Sequence, residues 1–237
     1  MDRLASPGEF PREASANVAG GNGLRSNGRN HYHLDMTDAR EPEPPTAAQR
    51  GSPAANAAPP GRGPVERVRM IRPGLADLGA FPLPPGFRLR SYQAGDRDRW
   101  LRIITATEQH LPVTAGLHHR AFGTAEAELA RRQLFLEAPD GAAVGTATAW
   151  FGSEPFSPDW GRVHWLAILP CWQGQGLSRP LLAGTLRQLC DLGHQRAYLI
   201  TEIVRRPAIR LYLKFGFTPD IRSEADAVIW RAVLSQA

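Results

Sequence analysis

Large apolar residues are spread so unevenly that their pattern alone divides the chain. Up to about residue 64, Gly, Pro, Ala, Ser, Asn and Arg predominate and nine prolines occur. Neither a period of two nor one of 3.6 can be traced there. A segment this poor in large apolar side chains cannot bury enough surface to offset its ordering entropy. Residues 1–64 are therefore expected to form a disordered tail. Such a tail is an interaction segment, a plain linker, or an upstream extension preceding a start at Met70, where periodic sequence sets in. Residues 70–237 form the folded domain on this reading.

Within that domain the pattern alternates between the two periods. Pro73, Leu75, Leu78, Phe81, Pro82, Pro84 and Pro85 predict an ordered lead-in strapped across the domain. Phe87 to Tyr92 alternates apolar and polar positions and predicts a strand. Asp96, ahead of Trp100, Leu101, Ile103 and Ile104, is the candidate N-cap of a helix reaching about Thr107. Residues 108–123 read as loop or weak helix and hold His110, His118 and His119. With no carboxylate at ligand spacing, they suggest a surface or substrate-facing loop rather than a metal cluster. A helix is expected from Thr124 to Arg132.

Two strands, Gln133 to Ala138 and Ala143 to Phe151, flank Pro139-Asp140-Gly141-Ala142, and Asp-Gly in so short a loop signals a hairpin. Arg162 to Leu169 is nearly all apolar, as expected of a strand central in its sheet. After a glycine-bearing loop, Leu177, Leu181, Leu182, Leu186, Leu189 and Cys190 follow helical spacing up to Leu192, with Gly193 as the stop. Ala197 to Ile203 reads as a strand. Pro207 to Phe215 reads as a helix stopped by Gly216. Phe217 to Pro219 and Ala227 to Leu234 are expected to close the sheet. The order β-α-α-β-β-β-α-β-α-β defines an α/β domain with a mixed sheet.

Composition narrows the function. The formal charge is +5, and all but one of the 28 basic residues are arginine, the exception being Lys214. Nine basic residues face eight acidic ones before Met70, and 19 face 15 from there on. So slight an excess lacks the concentrated stripe of a nucleic-acid binder and suits an anionic small ligand. Two cysteines exclude a four-cysteine zinc site and argue against a disulfide scaffold. Cys190 reads as core, and Cys171 lies in the loop. No run approaches a membrane span and the N-terminus has no apolar leader, so a reduced, cytoplasmic protein is expected.

The stretch from Val163 to Ser178, VHWLAILPCWQGQGLS, carries the chemistry. A strand, a loop with two glycines and a helix start aim backbone N–H groups and a helix dipole at one point, which suits phosphate. A Walker loop is excluded because Gly-Lys occurs nowhere. A dinucleotide fingerprint fails because the loop is late in the chain and Arg196 stands where an acid is wanted. A tight turn with no ligand is the remaining alternative.

The spacing Gln173-x-x-Gly176-x-Ser178 resembles the Q/R-x-x-G-x-G/A signature of the GNAT acetyltransferase superfamily. About 30 residues on, Pro207-Ala208-Ile209-Arg210-Leu211-Tyr212-Leu213-Lys214-Phe215-Gly216-Phe217 resembles that family's second block. Ser178 replaces the usual Gly or Ala, and Arg205 replaces an asparagine often found ahead of the Pro-Ala pair, where it suggests a phosphate contact. The resemblance implies a mostly antiparallel mixed sheet flanked by helices, and acetyl-CoA as co-substrate without a metal.

It also implies roles for residues. Gln173, Gly174, Gln175, Gly176, Leu177 and Ser178 would cradle the pyrophosphate. The strand edge at Ala167 and Ile168 would bind the pantetheine arm, and Arg179 and Arg210 are candidates for the 3′-phosphate. Tyr212 takes the position of the general acid. Glu202 and His164 are candidate bases, with Glu154 a third choice. The expected acceptor is a small-molecule primary amine, with no nucleic acid or membrane partner, acting in a monomer or homodimer. Peptide-amine acetylation and a non-catalytic acyl-CoA sensor are the alternatives. The aromatics from Trp150 to Trp160 suggest an apolar or ring-bearing acceptor, or a lid.

Overall fold

A computed structural model describes residues 66–153 and 155–235. The expectations of a disordered tail over 1–64 and of a role for Glu154 lie outside those residues. Seven strands form one sheet in the order β2-β3-β4-β5-β6-β1-β7. They are β1 (Arg67–Arg72), β2 (Arg88–Ser91), β3 (Gln133–Glu137), β4 (Ala143–Phe151), β5 (Trp160–Ile168), β6 (Arg196–Glu202) and β7 (Thr218–Pro219). Every neighbouring pair is antiparallel except β5 and β6, which run parallel.

Among the described residues six α-helices cover the two faces: α1 (Asp96–Thr107), α2 (Leu117–Phe122), α3 (Glu126–Arg132), α4 (Ser178–Asp191), α5 (Arg206–Lys214) and α6 (Glu224–Leu234). On one face, Trp100, Ile103, Leu117, Phe122 and Leu129 from the first three helices pack on Phe135 and Trp150. On the other, Leu182, Leu186, Ile209 and Trp230 from the last three enclose Val68, Met70, Val163 and Leu199. Buried side chains of this size stabilise by about 1.5–3 kcal/mol each, so both layers are held chiefly by burial.

The expected hairpin forms. Asp140 Oδ1 accepts the Ala142 N–H at 2.9 Å and Gly141 takes a φ of 81°. Gly193 and Gly216 adopt φ of 88° and 75° just past α4 and α5, the left-handed turn that glycine makes without Cβ strain. The lead-in also lies where expected: Leu75 is buried, and Phe81 stacks on Phe215 with centroids 4.6 Å apart.

Four expectations are corrected. β1 precedes Met70, running from Arg67 with Met70 wholly buried at its centre, and it fills a slot between β6 and β7. Asp96 is the first helical residue of α1 rather than its cap. Fully buried, it accepts the Gln93 N–H at 2.7 Å and is paired with Arg90. Residues from Glu224 to Leu234 are helix rather than strand, because Ser223 Oγ caps the Asp226 N–H at 3.1 Å. Cys190, like Cys171, is exposed, since it falls just outside the buried stripe of α4.

Candidate active site

β5 and β6 pair over only three residues, Trp160 with Arg196, Gly161 with Ala197, and Arg162 with Tyr198. Beyond Arg162 the strands part. The cause is visible on the far side of β5. On β4, Thr148 faces His164 but Thr146 faces Ala167, so β5 carries one extra residue, and Trp165 takes a φ of 51°. A bulge of this kind bends its strand. The parting leaves the β5 backbone from Val163 to Ile168 without a ladder partner towards β6.

Two clefts open there. The larger, about 860 Å³, runs between the end of β5, the glycine loop and α5, with Ala167, Ile168, Gln173, Gly174 and Gly176 on one wall and Ala208 and Tyr212 on the other. The smaller, about 130 Å³, lies against β6 and β1, with Arg67, Glu108, Arg162, His164 and Glu202 on its walls. Leu166, Arg205 and Tyr212 border both, so the two clefts meet at these three side chains.

The loop between β5 and α4 is shaped for an anion. Gly174 and Gly176 have φ of +78° and +79°, and a Cβ on either would meet nothing within 4 Å. Gln173 Nε2 donates to the Ile168 carbonyl at 2.8 Å and fastens the loop to the strand end. Among the described residues, none of the five N–H groups from Gly174 to Ser178 has a backbone acceptor. Unsatisfied N–H groups at a helix start are the usual means of holding a phosphate. Ala167, Ile168, Gln173, Gly174, Gly176, Leu177 and Ser178 all border the larger cleft. Gln175 is in the loop but off the cleft wall, and Arg179 and Arg210 are exposed away from it.

Tyr212, Glu202 and His164 come together on the smaller cleft. Burial pushes the Tyr212 phenol up to about 12, and the Arg205 charge opposes this, so the group keeps its proton at neutral pH. Burial, helped by the charge of Arg162, holds His164 well below the ordinary imidazole range, so it is neutral. Its ring packs edge-on against Phe122 with centroids 5.7 Å apart. Glu202 Oε2 accepts from Arg205 Nε at 2.7 Å and lies 3.8 Å from His110 Nε2. Arg205 Nη2 reaches Glu108 Oε2 at 2.9 Å, and the other Glu108 oxygen accepts the His110 N–H at 2.8 Å.

Arg205 thus faces carboxylates rather than a phosphate loop. Glu108, His110 and Arg67 belong to the site although no motif marks them. The position of Glu108 and His110 just past α1 is the one signal that points towards them. Among the described residues no group of three or more His, Cys, Asp or Glu is placed to hold a metal, and no helix is long and apolar enough to cross a membrane.

The parted strands, glycine loop and tyrosine helix define the acetyltransferase architecture, and sequence comparison agrees. The profile of the acetyltransferase (GNAT) family matches residues 99–217, and the chain belongs to that family, whose members use acetyl-CoA. It is 32% identical over 155 residues to a mycothiol acetyltransferase of Pseudarthrobacter chlorophenolicus, covering 60% of this chain and 46% of that one. It is 31% identical over 170 residues to a mycothiol acetyltransferase of Thermomonospora curvata, covering 70% and 56%. The chain therefore spans about half the length of the curated relatives it matches. Among solved structures, a GCN5-related N-acetyltransferase from Sphaerobacter thermophilus superposes with a TM-score of 0.54 at 21% identity. That match covers 68% of this chain and 50% of the other, and it supports the fold.

Proposed function

We propose that this chain transfers an acetyl group from acetyl-CoA to the primary amine of a small molecule, both substrates being bound at once. One observation carries the reading: a donor cleft with unsatisfied loop N–H groups meets a polar cleft at a buried, protonated tyrosine. The residues present fit the donor. The N–H groups from Gly174 to Ser178 would hold its pyrophosphate, and the unpaired β5 edge near Ala167 would hold its pantetheine arm. The bound thioester supplies the activated acyl carbon. The relatives named for mycothiol favour a small-molecule acceptor, although the chain matches only part of their length.

The smaller cleft receives the amine. As the C–N bond forms and the C–S bond breaks, Tyr212 gives its proton to the departing thiolate, and the amine releases one to water in the cleft, from which Tyr212 is restored. An N–H on the β5 edge polarises the carbonyl oxygen. Glu202, already engaged by Arg205, is a positioning residue that fixes Arg205 beside Tyr212. Neutral His164 offers a ring nitrogen to the acceptor.

Calorimetric titration with acetyl-CoA, followed by a free-thiol assay over small amines and peptides, tests this reading. Binding accompanied by thiol release on small amines is expected. Release on peptides alone would move the acceptor class to peptides. Binding with no release on any amine would make the chain a sensor.

A further inference from the structure

Arg67 and Glu202 are directly opposed across the antiparallel β1–β6 ladder. Opposed residues share a face of the sheet, and opposite charges so placed ordinarily pair. Here they do not. The Glu202 carboxylate turns to Arg205 at 2.7 Å, and Arg205 is itself completed by Glu108 at 2.9 Å. The two carboxylates on the wall of the smaller cleft are thus both taken by one guanidinium. Arg67 stands on the same wall, exposed, and its guanidinium makes no ion pair or hydrogen bond among the described residues.

A second group in the cleft also lacks a partner. His164 is 7% exposed and its ring makes no hydrogen bond among the described residues, yet it lies on the cleft wall. Buried polar groups are nearly always satisfied, so one left open at a cleft is expected to meet a ligand. The two open groups differ in kind. His164 is a neutral partner for a polar atom, whereas Arg67 is a full positive charge at the cleft's β1 side.

We propose that Arg67 receives an anionic group of the acceptor, so that the substrates are short amines bearing a carboxylate or a phosphate. This rests on the reading of the smaller cleft as the acceptor site. The amine end lies towards Tyr212, where the clefts meet, the anionic end lies at Arg67, and His164 contacts the stretch between. A guanidinium suits either anion because its planar fork matches both. Arg67 belongs to β1, which lies outside the residues 99–217 shared with the family profile.

Matched acceptor pairs test the assignment: γ-aminobutyrate against propylamine, and phosphoethanolamine against ethanolamine. For at least one pair, kcat/KM of the anionic member should exceed that of its neutral counterpart by about tenfold or more, carried mainly by KM. In Arg67→Gln the preference should collapse while the Kd for acetyl-CoA stays unchanged, and Arg67→Lys should restore part of it. Which pair responds separates carboxylate from phosphate. Turnover on neutral and anionic members alike, or a preference that survives in Arg67→Gln, overturns the role of Arg67 and leaves the acetyltransferase reading standing. Failure of acetyl-CoA to bind, or of any amine to release thiol, overturns that reading and the role of Arg67 with it.

Discussion

Arg205 holds the Glu202 carboxylate at 2.7 Å, and the same guanidinium reaches Glu108 at the end of α1. A single side chain therefore ties the end of β6 to the loop that walls both clefts. It also places a positive charge near Tyr212, opposing the rise that burial imposes on the phenol.

Arg205→Gln should leave two mostly buried carboxylates facing each other and remove the charge that favours proton release by Tyr212. Thermal unfolding should show a loss of about 2 kcal/mol, and kcat should fall about tenfold or more. The Kd for acetyl-CoA should barely move, because the glycine loop is untouched. An unchanged kcat in a folded variant would remove Arg205 from the site.

Tyr212→Phe keeps the ring in its buried place and removes the proton. Turnover should fall on the order of 100-fold or more, with acetyl-CoA binding close to that of the unaltered chain. Equal losses in binding and turnover would point to packing rather than proton supply.

Acidification should weaken the fold before the carboxylates titrate. Burial lowers His164, His118 and His194 in the folded state. The unfolded chain takes up these protons near pH 6.5, so it binds more protons than the folded one below that point. The stabilisation is complete above about pH 6.5 and is lost as pH falls through the depressed folded values. Asp96 and Glu137 are held below the ordinary carboxylate range: burial opposes ionisation, but bonds to Arg90 outweigh it, so their contribution is lost only as pH falls below that range. Melting temperatures should fall from pH 7 to 5 and keep falling at high salt, where charge repulsion is screened. A flat high-salt profile would contradict neutral buried histidines.

A chain starting at Met70 should be markedly less stable than one starting at Glu66. It loses buried Val68, the Arg69–Asp220 pair at 2.8 Å and the first half of the β1–β6 ladder. The difference should be about 3 kcal/mol or more in urea unfolding. Equal midpoints would mean that β1 contributes little before Met70.

Local signals carried the middle of the chain. Asp140-Gly141 announced its hairpin, Gly193 and Gly216 their helix ends, and the Gln173 to Ser178 spacing its loop, because each depends on a few adjacent residues. Where competing local signals arose, the stronger chemistry decided. The run Ala227 to Leu234 looks like a strand, but the Ser223-x-x-Asp226 cap made it a helix. β1 was hidden because Val68 and Met70 are its only buried residues and Arg69 separates them. The parting of β5 from β6 was out of reach, since the bulge at Trp165 uses no glycine and reflects pairing with β4. Arg205, Glu108 and Arg67 meet from three distant segments, and no spacing rule joins residues 67, 108 and 205.

The position of β1 also sets an order of assembly. Its partner residues on β6 lie more than a hundred positions later, and its other neighbour, β7, later still. During synthesis β1 would emerge before both of its partner strands, so its pairing must wait until nearly the whole domain has followed. Closing so long a loop is slow and entropically costly, so the pairing of β1 with β6 and β7 should be among the last to form. The wall of the smaller cleft at Arg67 would then be completed only after the glycine loop is in place. Hydrogen exchange during refolding would show amides of β1 protected after those of β4 and α4.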